Sequence, residues 1–434
     1  MEANPGPMKW VSSLSTRPSL EAAVAEVVQK SQAALQAKPD LGFVFISSAF
    51  ASDYARLMPL LREQLLDLPL IGCSGGGVVG VGADGQAQEV EGEPGLSLTL
   101  ATLPGVKIQP FHLAADELPD LDSPPDAWME LIGVSAADHP NFILLADPFS
   151  AQINDLLQGL DFAYPGSVKV GGLASAGSMG GNSVLFCNFR LYREGTVGVA
   201  LSGNLVLETI VAQGCRPIGR PYLVTEGERN ILLALEEQTD PDWVAAGKST
   251  RVSQKRTPLE VLQELIQSLS EEDRDLAQDS LFVGVAQNEF KQTLEPGDFL
   301  IRNLLGVDPR MGAIAIGDRI RPGQRIQFHL RDARASEEDL ETLLKRYIRQ
   351  TGTQVPSASG ALMFACLGRG EGLYRKPNFD SRLFNRYVVN TPVSGFFCSG
   401  EIGPVGNTTF LHGYTSVFSI CRQPSGTGST EQPG

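Results

Sequence analysis

The stretch LPLIGCSGGGVVGVG, residues 68–82, satisfies two reactive patterns within the same few positions. Gly75, Gly77 and Gly80 have the GxGxxG spacing of a loop that wraps a dinucleotide pyrophosphate, and Gly72, Ser74 and Gly76 have the GxSxG spacing of a nucleophile elbow. Cys73, between them, is a thiol that a histidine would have to activate, and His112 and His139 are the histidines of the same half of the chain. Both motifs need a helix directly after the loop, to hold the pyrophosphate or to complete the oxyanion hole. The next residues are instead VVGVGADG, with Gly80, Gly82 and Gly85 among valines, and each glycine costs a helix about 1 kcal/mol relative to alanine. The remaining reading is structural: glycines at a strand end, where backbones approach closely and small residues leave room in the crevice in which α/β sheets bind ligands.

The elements around this stretch support a strand end. Residues 43–77 and 142–177 fall into one register, an apolar run, an amphipathic segment, then a second apolar run entering glycines and a serine. In the first copy Leu57, Leu60, Leu61 and Leu65 share a helix face, as do Ile153, Leu156, Leu157 and Leu160 in the second. Each copy therefore predicts a βαβ unit with parallel strands, and the alternating stretches after each predict a hairpin. A third strand, helix and strand unit is predicted from ALMFACLGRG, FDSRLFNRYV and VSGFFCSGEIGPVG.

Between these units ILLALEE, residues 231–237, predicts a helix, and TPLE predicts a helix over residues 257–279 with Thr257 as its cap. GAIAIGDRIRPGQRIQFHL predicts a long hairpin turning at residues 321–324, with His329 on its solvent face. Another helix is predicted over residues 337–349, capped by Ser336. The expected class is α/β with mixed sheets. The expected boundaries are residues 1–40, a segment with one helix; 41–230, the duplicated βαβ-plus-hairpin domain; 231–256, a linker; 257–422, a second α/β domain; and 423–434, a disordered tail.

Bulk composition narrows the function. The chain of 434 residues has no run of about 18 apolar residues to span a bilayer and no secretory leader at its start, so a cytoplasmic protein is expected. A net charge of -15 opposes nucleic-acid phosphate, and the basic stretch at residues 248–256 reads as a solvated linker. Six cysteines without a CxxC and four histidines without metal spacing predict reduced thiols, no metal site and no cofactor.

LPLIGCSGGGVVG resembles the hallmark of the FIST N-terminal domain, and ALMFACLGRGEGLY with VSGFFCSGEIGPVG resembles the FIST C-terminal domain. FIST stands for F-box and intracellular signal transduction, a domain pair of bacterial sensory proteins and of some F-box proteins. The resemblance implies a sensory module that binds a small molecule such as an amino acid and, with no output domain in this sequence, signals to a partner protein in trans. In NTTFLHGYT, His412 and Gly413 stand where the family is expected to carry a His and Asn pair, which bears on ligand preference.

An amino-acid ligand needs a cation for its carboxylate and an acid for its ammonium. Arg369 in CLGRG and Glu401 in CSGEIG supply them, each following an apolar strand. Backbone N–H groups around Cys73, Ser74, Gly75 and Gly76 and around Gly172 and Ser175 add donors, and Cys366 and Cys398 line the same strand ends. Two alternatives stand beside this non-enzymatic reading: a protein-interaction scaffold without a ligand, and a thiol- or serine-dependent enzyme, which requires Cys73, Ser74 or Cys398 to lie beside a histidine.

Overall fold

The structure, a computed structural model, describes residues 6–65, 68–149, 152–176, 183–237, 255–287, 291, 294, 296–351 and 359–424. It is a mixed α/β protein in two compact units, one made of residues Met1–Ala212 and Leu340–Gly434, the other of Gln213–Asp339. No helix among the described residues is long and apolar enough to cross a membrane.

The first unit is one module used three times. The first repeat runs β1 (Lys9–Ser15), α1 (Leu20–Leu35), β2 (Leu41–Ser47), α2 (Tyr54–Gln64), β3 (Leu70–Gly75), β4 (Gly77–Val81), β5 (Ala87–Glu91) and β6 (Leu96–Thr102). The second repeats that order as β7 (Val106–Leu113), α3 (Pro125–Ile132), β8 (Asn141–Ala146), α4 (Ile153–Ala163), β9 (Lys169–Leu173), β10 (Leu185–Cys187), β11 (Arg190–Tyr192) and β12 (Thr196–Gly203). The third begins with β13 (Val206–Ala212), after which the chain builds the second unit.

That unit comprises β14 (Cys215–Glu228), β15 (Ile231–Glu237), α5 (Pro258–Ser268), α6 (Glu271–Leu276), β16 (Leu281–Ala286), β17 (Phe299–Asp308), β18 (Ala313–Ile316) and β19 (Arg325–Arg331). Its strands close into an antiparallel barrel in the order β14-β15-β18-β17-β16-β19 around Val224, Leu235, Val283, Ile326 and Phe328. The third repeat then resumes with α7 (Ala333–Thr351), β20 (Gly360–Cys366), α8 (Gly370–Tyr374), α9 (Phe379–Tyr387), β21 (Val393–Cys398), β22 (Glu401–Val405), β23 (Thr408–His412) and β24 (Ser416–Arg422).

The expected parallel pairs form: β2 with β3, β8 with β9, and β20 with β21. The three sheets around them run β1-β6-β2-β3-β10-β11, β7-β12-β8-β9-β22-β23 and β13-β24-β20-β21-β4-β5. Each sheet thus ends in a hairpin that belongs to another repeat. The first repeat completes the sheet of the third, the third completes that of the second, and the second completes that of the first.

Side-chain alternation explains the layers. On β2, Phe43 and Phe45 join a central core with Phe364 and Phe396 of the third repeat, while Val44 and Ile46 face α1 and α2. Phe45 stacks on Phe396 with ring centroids 5.3 Å apart. Both sheet faces are covered, so the strands read as continuous apolar runs.

Several sequence expectations are corrected. The stretches after the two βαβ units are not hairpins: β6 pairs with β1 and β2, whereas β7 pairs with β12, and β12 and β13 also enter different sheets. Residues 231–237 form β15 rather than a helix, because barrel pairing with β14 outweighs the helical preference of Leu, Ala and Glu. The turn at 321–324 exists, but β18 and β19 pair with other strands. Thr257 and Glu260 form the expected capping box, and the helix breaks into α5 and α6, with Ser270 capping the second. Helix α7 starts earlier than expected; its Ala335 N–H is capped by Asp332, and Ser336 lies buried, donating to the Gly214 carbonyl.

His329 lies on the strand face opposite Phe328, yet it is buried, since that face is covered as well. Burial holds its imidazole down at about 4. Most of the expected linker, residues 238–254, falls outside the described residues, as do residues 425–434 of the expected tail.

Candidate functional site

Each repeat places a glycine third in its second parallel strand: Gly72 opposite Val44, Gly171 opposite Leu144 and Gly395 opposite Met363. A Cβ there would lie 2.0, 1.7 and 1.8 Å from the facing carbonyl oxygens, so no side chain fits. These are the glycines that the repeated motif requires.

Beyond them the three strand ends meet. The Ser175 N–H donates to the Ser74 carbonyl at 3.1 Å, and the Ser175 hydroxyl donates to the Phe397 carbonyl at 2.5 Å while accepting the Gly76 N–H at 2.8 Å. One serine therefore ties together all three repeats. The third strand end returns the contact, with Ser399 N–H on the Leu173 carbonyl at 3.1 Å and Leu173 N–H on the Gly400 carbonyl at 2.7 Å.

The junction is closed among the described residues. Cys73, Ser74, Cys398 and Glu401 are fully buried, and a Cβ on Gly172 would come within 2.5 Å of the Cys398 sulfur. The glycines bring backbones together here; the room between them is already filled. Burial pushes both the Cys73 and Cys398 thiols well above their usual range, and Cys398 is raised further by Glu401, so both stay protonated. Strand β3 passes into strand β4 without a helix, which leaves neither glycine motif with the element its chemistry needs. The Ser74 hydroxyl accepts the Val184 N–H at 3.0 Å, and the Cys398 thiol donates to the Phe396 carbonyl.

Glu401 lies at the same junction and accepts the Thr415 N–H at 3.0 Å, while the Thr415 carbonyl accepts the Cys366 N–H at 2.9 Å. Cys366 alone of these thiols is partly exposed. Arg369 stands one loop away and is fully buried. Its guanidinium bonds Asp380 through Nε at 2.6 Å and Nη2 at 3.0 Å, and also reaches the Tyr374 hydroxyl. A cation held this way is neutralised by its own chain.

Two features escaped the sequence reading. Beside Arg369, the β5 residues Glu89 and Glu91 reach the first turns of α9 and α8: Glu89 accepts the Ser381 N–H at 2.7 Å, and Glu91 accepts the Glu371 N–H at 2.9 Å. Their alternation in AQEVE was the available signal, but it reads equally as a solvated strand face. The other is a cleft of about 320 Å³ between the end of β1, α1 and the tip of the β4–β5 hairpin. Arg17, Lys30 and Glu26 form one side, with Glu26 ion-paired to Lys30 at 2.7 Å; Asp84 and Gln88 form the other.

Two family models match the chain. The FIST N domain matches residues 40–238 and the FIST C domain matches residues 258–404. An uncharacterized protein of Mycobacterium tuberculosis is 30% identical over 409 residues, covering 94% of this chain and 98% of the relative. An F-box/LRR-repeat protein of Arabidopsis thaliana is 29% identical over 24% of this chain and 22% of its own length. The F-box only protein 22 of Pongo abelii is 29% identical over 23% of this chain and 28% of its own length.

Proposed function

Because the chain belongs to the FIST family, whose domains are associated with signal transduction, we propose that it is a cytoplasmic, non-enzymatic sensor that binds a small zwitterion such as an amino acid and signals in trans. One observation carries this reading: the β4–β5 hairpin has its tip, Asp84 and Gln88, in the charged cleft and its root, Gly75 to Gly77, in the junction of the three repeats. Arg17 supplies the cation for a carboxylate, and Asp84, whose Oδ1 accepts the Gln86 and Gln88 N–H groups, supplies the acid for an ammonium. Binding at the tip moves the hairpin, and Ser74, Gly76 and Ser175 pass that movement to the other repeats. The strand-end residues Cys73, Gly75, Gly172, Cys366, Cys398 and Glu401 then act as the responding centre.

Thermal-shift screening of the purified chain against free amino acids and common metabolites tests this. A ligand at about a hundred times its dissociation constant adds about 2.7 kcal/mol of stability. Arg17→Gln and Asp84→Asn, both on exposed side chains, are expected to abolish the shift without lowering the melting temperature of the unliganded protein. If no compound moves the wild-type transition, the sensor reading fails.

A scaffold reading has one observation in its favour. Phe149 is 81% exposed and Phe162 55% exposed on the second repeat, two large apolar side chains that a partner would cover. The absence of any stabilising ligand together with a partner lost in Phe149→Ser would select it.

A further inference from the structure

The hairpin β4–β5 is attached to its host sheet by little backbone pairing. Val79 and Val78 are registered with Gly395 and Phe396, and among the described residues β5 pairs with β4 alone. Ala87 and Val90 of β5 pack into the neighbouring cores, and what fastens the strand to α8 and α9 is polar. The Glu89 N–H donates to Asn378 Oδ1 at 2.6 Å, Glu89 Oε1 accepts the Ser381 N–H, and Glu91 Oε1 accepts the Glu371 N–H.

The charges in this fastening do not balance. Glu89 is buried, and its Oε2 has no hydrogen-bond partner among the described residues. Facing it are Asp380 and Ser381 from α9, Tyr374 from α8, and Glu91 from its own strand. The Arg369 guanidinium is engaged by Asp380, which also accepts the Tyr374 hydroxyl at 2.8 Å. Asp380 is thus ion-paired with Arg369, and a charge on Glu89 would sit beside that pair out of water.

We propose that Glu89 is a proton-operated latch: with a proton bound it keeps the exchanged hairpin docked on α8 and α9, and on ionising beside Asp380 it lets the hairpin go. The latch works whether or not the cleft at the hairpin tip holds a ligand. Its consequence for the fold is directional, because the freed element begins at Gly77, next to the serine junction.

The expected pH window is set by the surroundings. Burial first, then the Asp380 charge, raises the Glu89 carboxyl from 4.5 to about 7, against the opposing pull of the Ser381 N–H. A folded-state value above the unfolded one means that the docked form binds the extra proton. Docking is therefore strongest at the acidic end of that window, weakens as pH rises through it, and changes no further above about 7. The docked-to-undocked ratio falls on the order of a hundredfold across it.

Hydrogen exchange on the full chain, corrected for intrinsic rates, reads this directly. Between about pH 5 and about pH 8 the β5 amides are expected to lose protection on the order of a hundredfold, while β2 amides keep theirs. In Glu89→Gln the β5 amides stay protected at both ends. Equal protection of wild-type β5 at both pH values, or an unchanged pH response in Glu89→Gln, overturns the latch. Should the variant not fold, the wild-type chain still decides the matter by ¹³C-carboxyl NMR. A glutamate titrating near 7 that shifts together with the β5 amides supports the latch, and all glutamates titrating in the ordinary range excludes it.

Discussion

Two of the exchanged hairpins dock on helices of a foreign repeat, and they differ in charge. The hairpin β22–β23 is held by Thr409, whose N–H and hydroxyl donate to Asp161 of α4 at 2.6 and 2.8 Å. Asp161 is in turn paired with the buried Lys169 at 2.8 Å, so one acid meets one base. The hairpin β4–β5 is held by Glu89 and Glu91, against a cluster in which Arg369 is already taken by Asp380. A balanced docking is insensitive to protons near neutrality; an unbalanced one is not. The same architectural device thus serves as a permanent joint in one place and as a responsive one in the other.

The largest effect is expected from cutting the exchange itself. The fragment Met1–Ala212 retains the first two repeats but loses β20 to β24, which removes the host of β4–β5 and the guest of β8–β9. It is expected to show no cooperative thermal transition alone and to regain one when residues 213–434 are supplied in trans. A fragment that melts like the intact chain would show that the swapped hairpins are ornaments on self-sufficient repeats.

A smaller effect separates the two joints. Arg369→Met strands Asp380, which is fully buried, and is expected to cost about 3–5 kcal/mol in chemical denaturation. Lys169→Met strands an Asp161 that is 18% exposed and still bonded by Thr409, so water relieves part of the loss and about 2 kcal/mol is expected. If the two losses are equal, the contrast in burial between the joints carries no energetic weight.

Why the joints were missed explains how much of the fold was legible. The three βαβ units are written locally, as apolar runs such as LGFVFIS and as helix faces at spacings of three and four, and these signals survive in any context. The hairpin exchange is not local. Leu96–Thr102 and Val106–Leu113 are separated by three residues including Pro104 and Gly105, the signature of a hairpin, yet Gly105 at φ +76° leads the chain into a different sheet. Nothing in those residues names the distant partner. The site suffered in the same way: the strand-end glycines were readable, whereas the burial of Arg369 depends on Asp380, eleven residues on, whose carboxylate holds its guanidinium.

The smallest change is the sharpest test of the balanced joint. Thr409→Val keeps the shape and the N–H bond to Asp161 but deletes the hydroxyl bond, leaving the carboxylate with Lys169 as its cation. The expected loss is about 1 kcal/mol, the net value of a hydrogen bond to a partner that keeps other contacts. It is also expected to be the same at about pH 6 and about pH 8, because at this joint one acid faces one base. Denaturation curves at the two pH values decide this. A Thr409→Val penalty that grew with pH would mean that proton sensitivity is a property of hairpin exchange in general, and the charge imbalance at Glu89 would no longer distinguish one joint from the other.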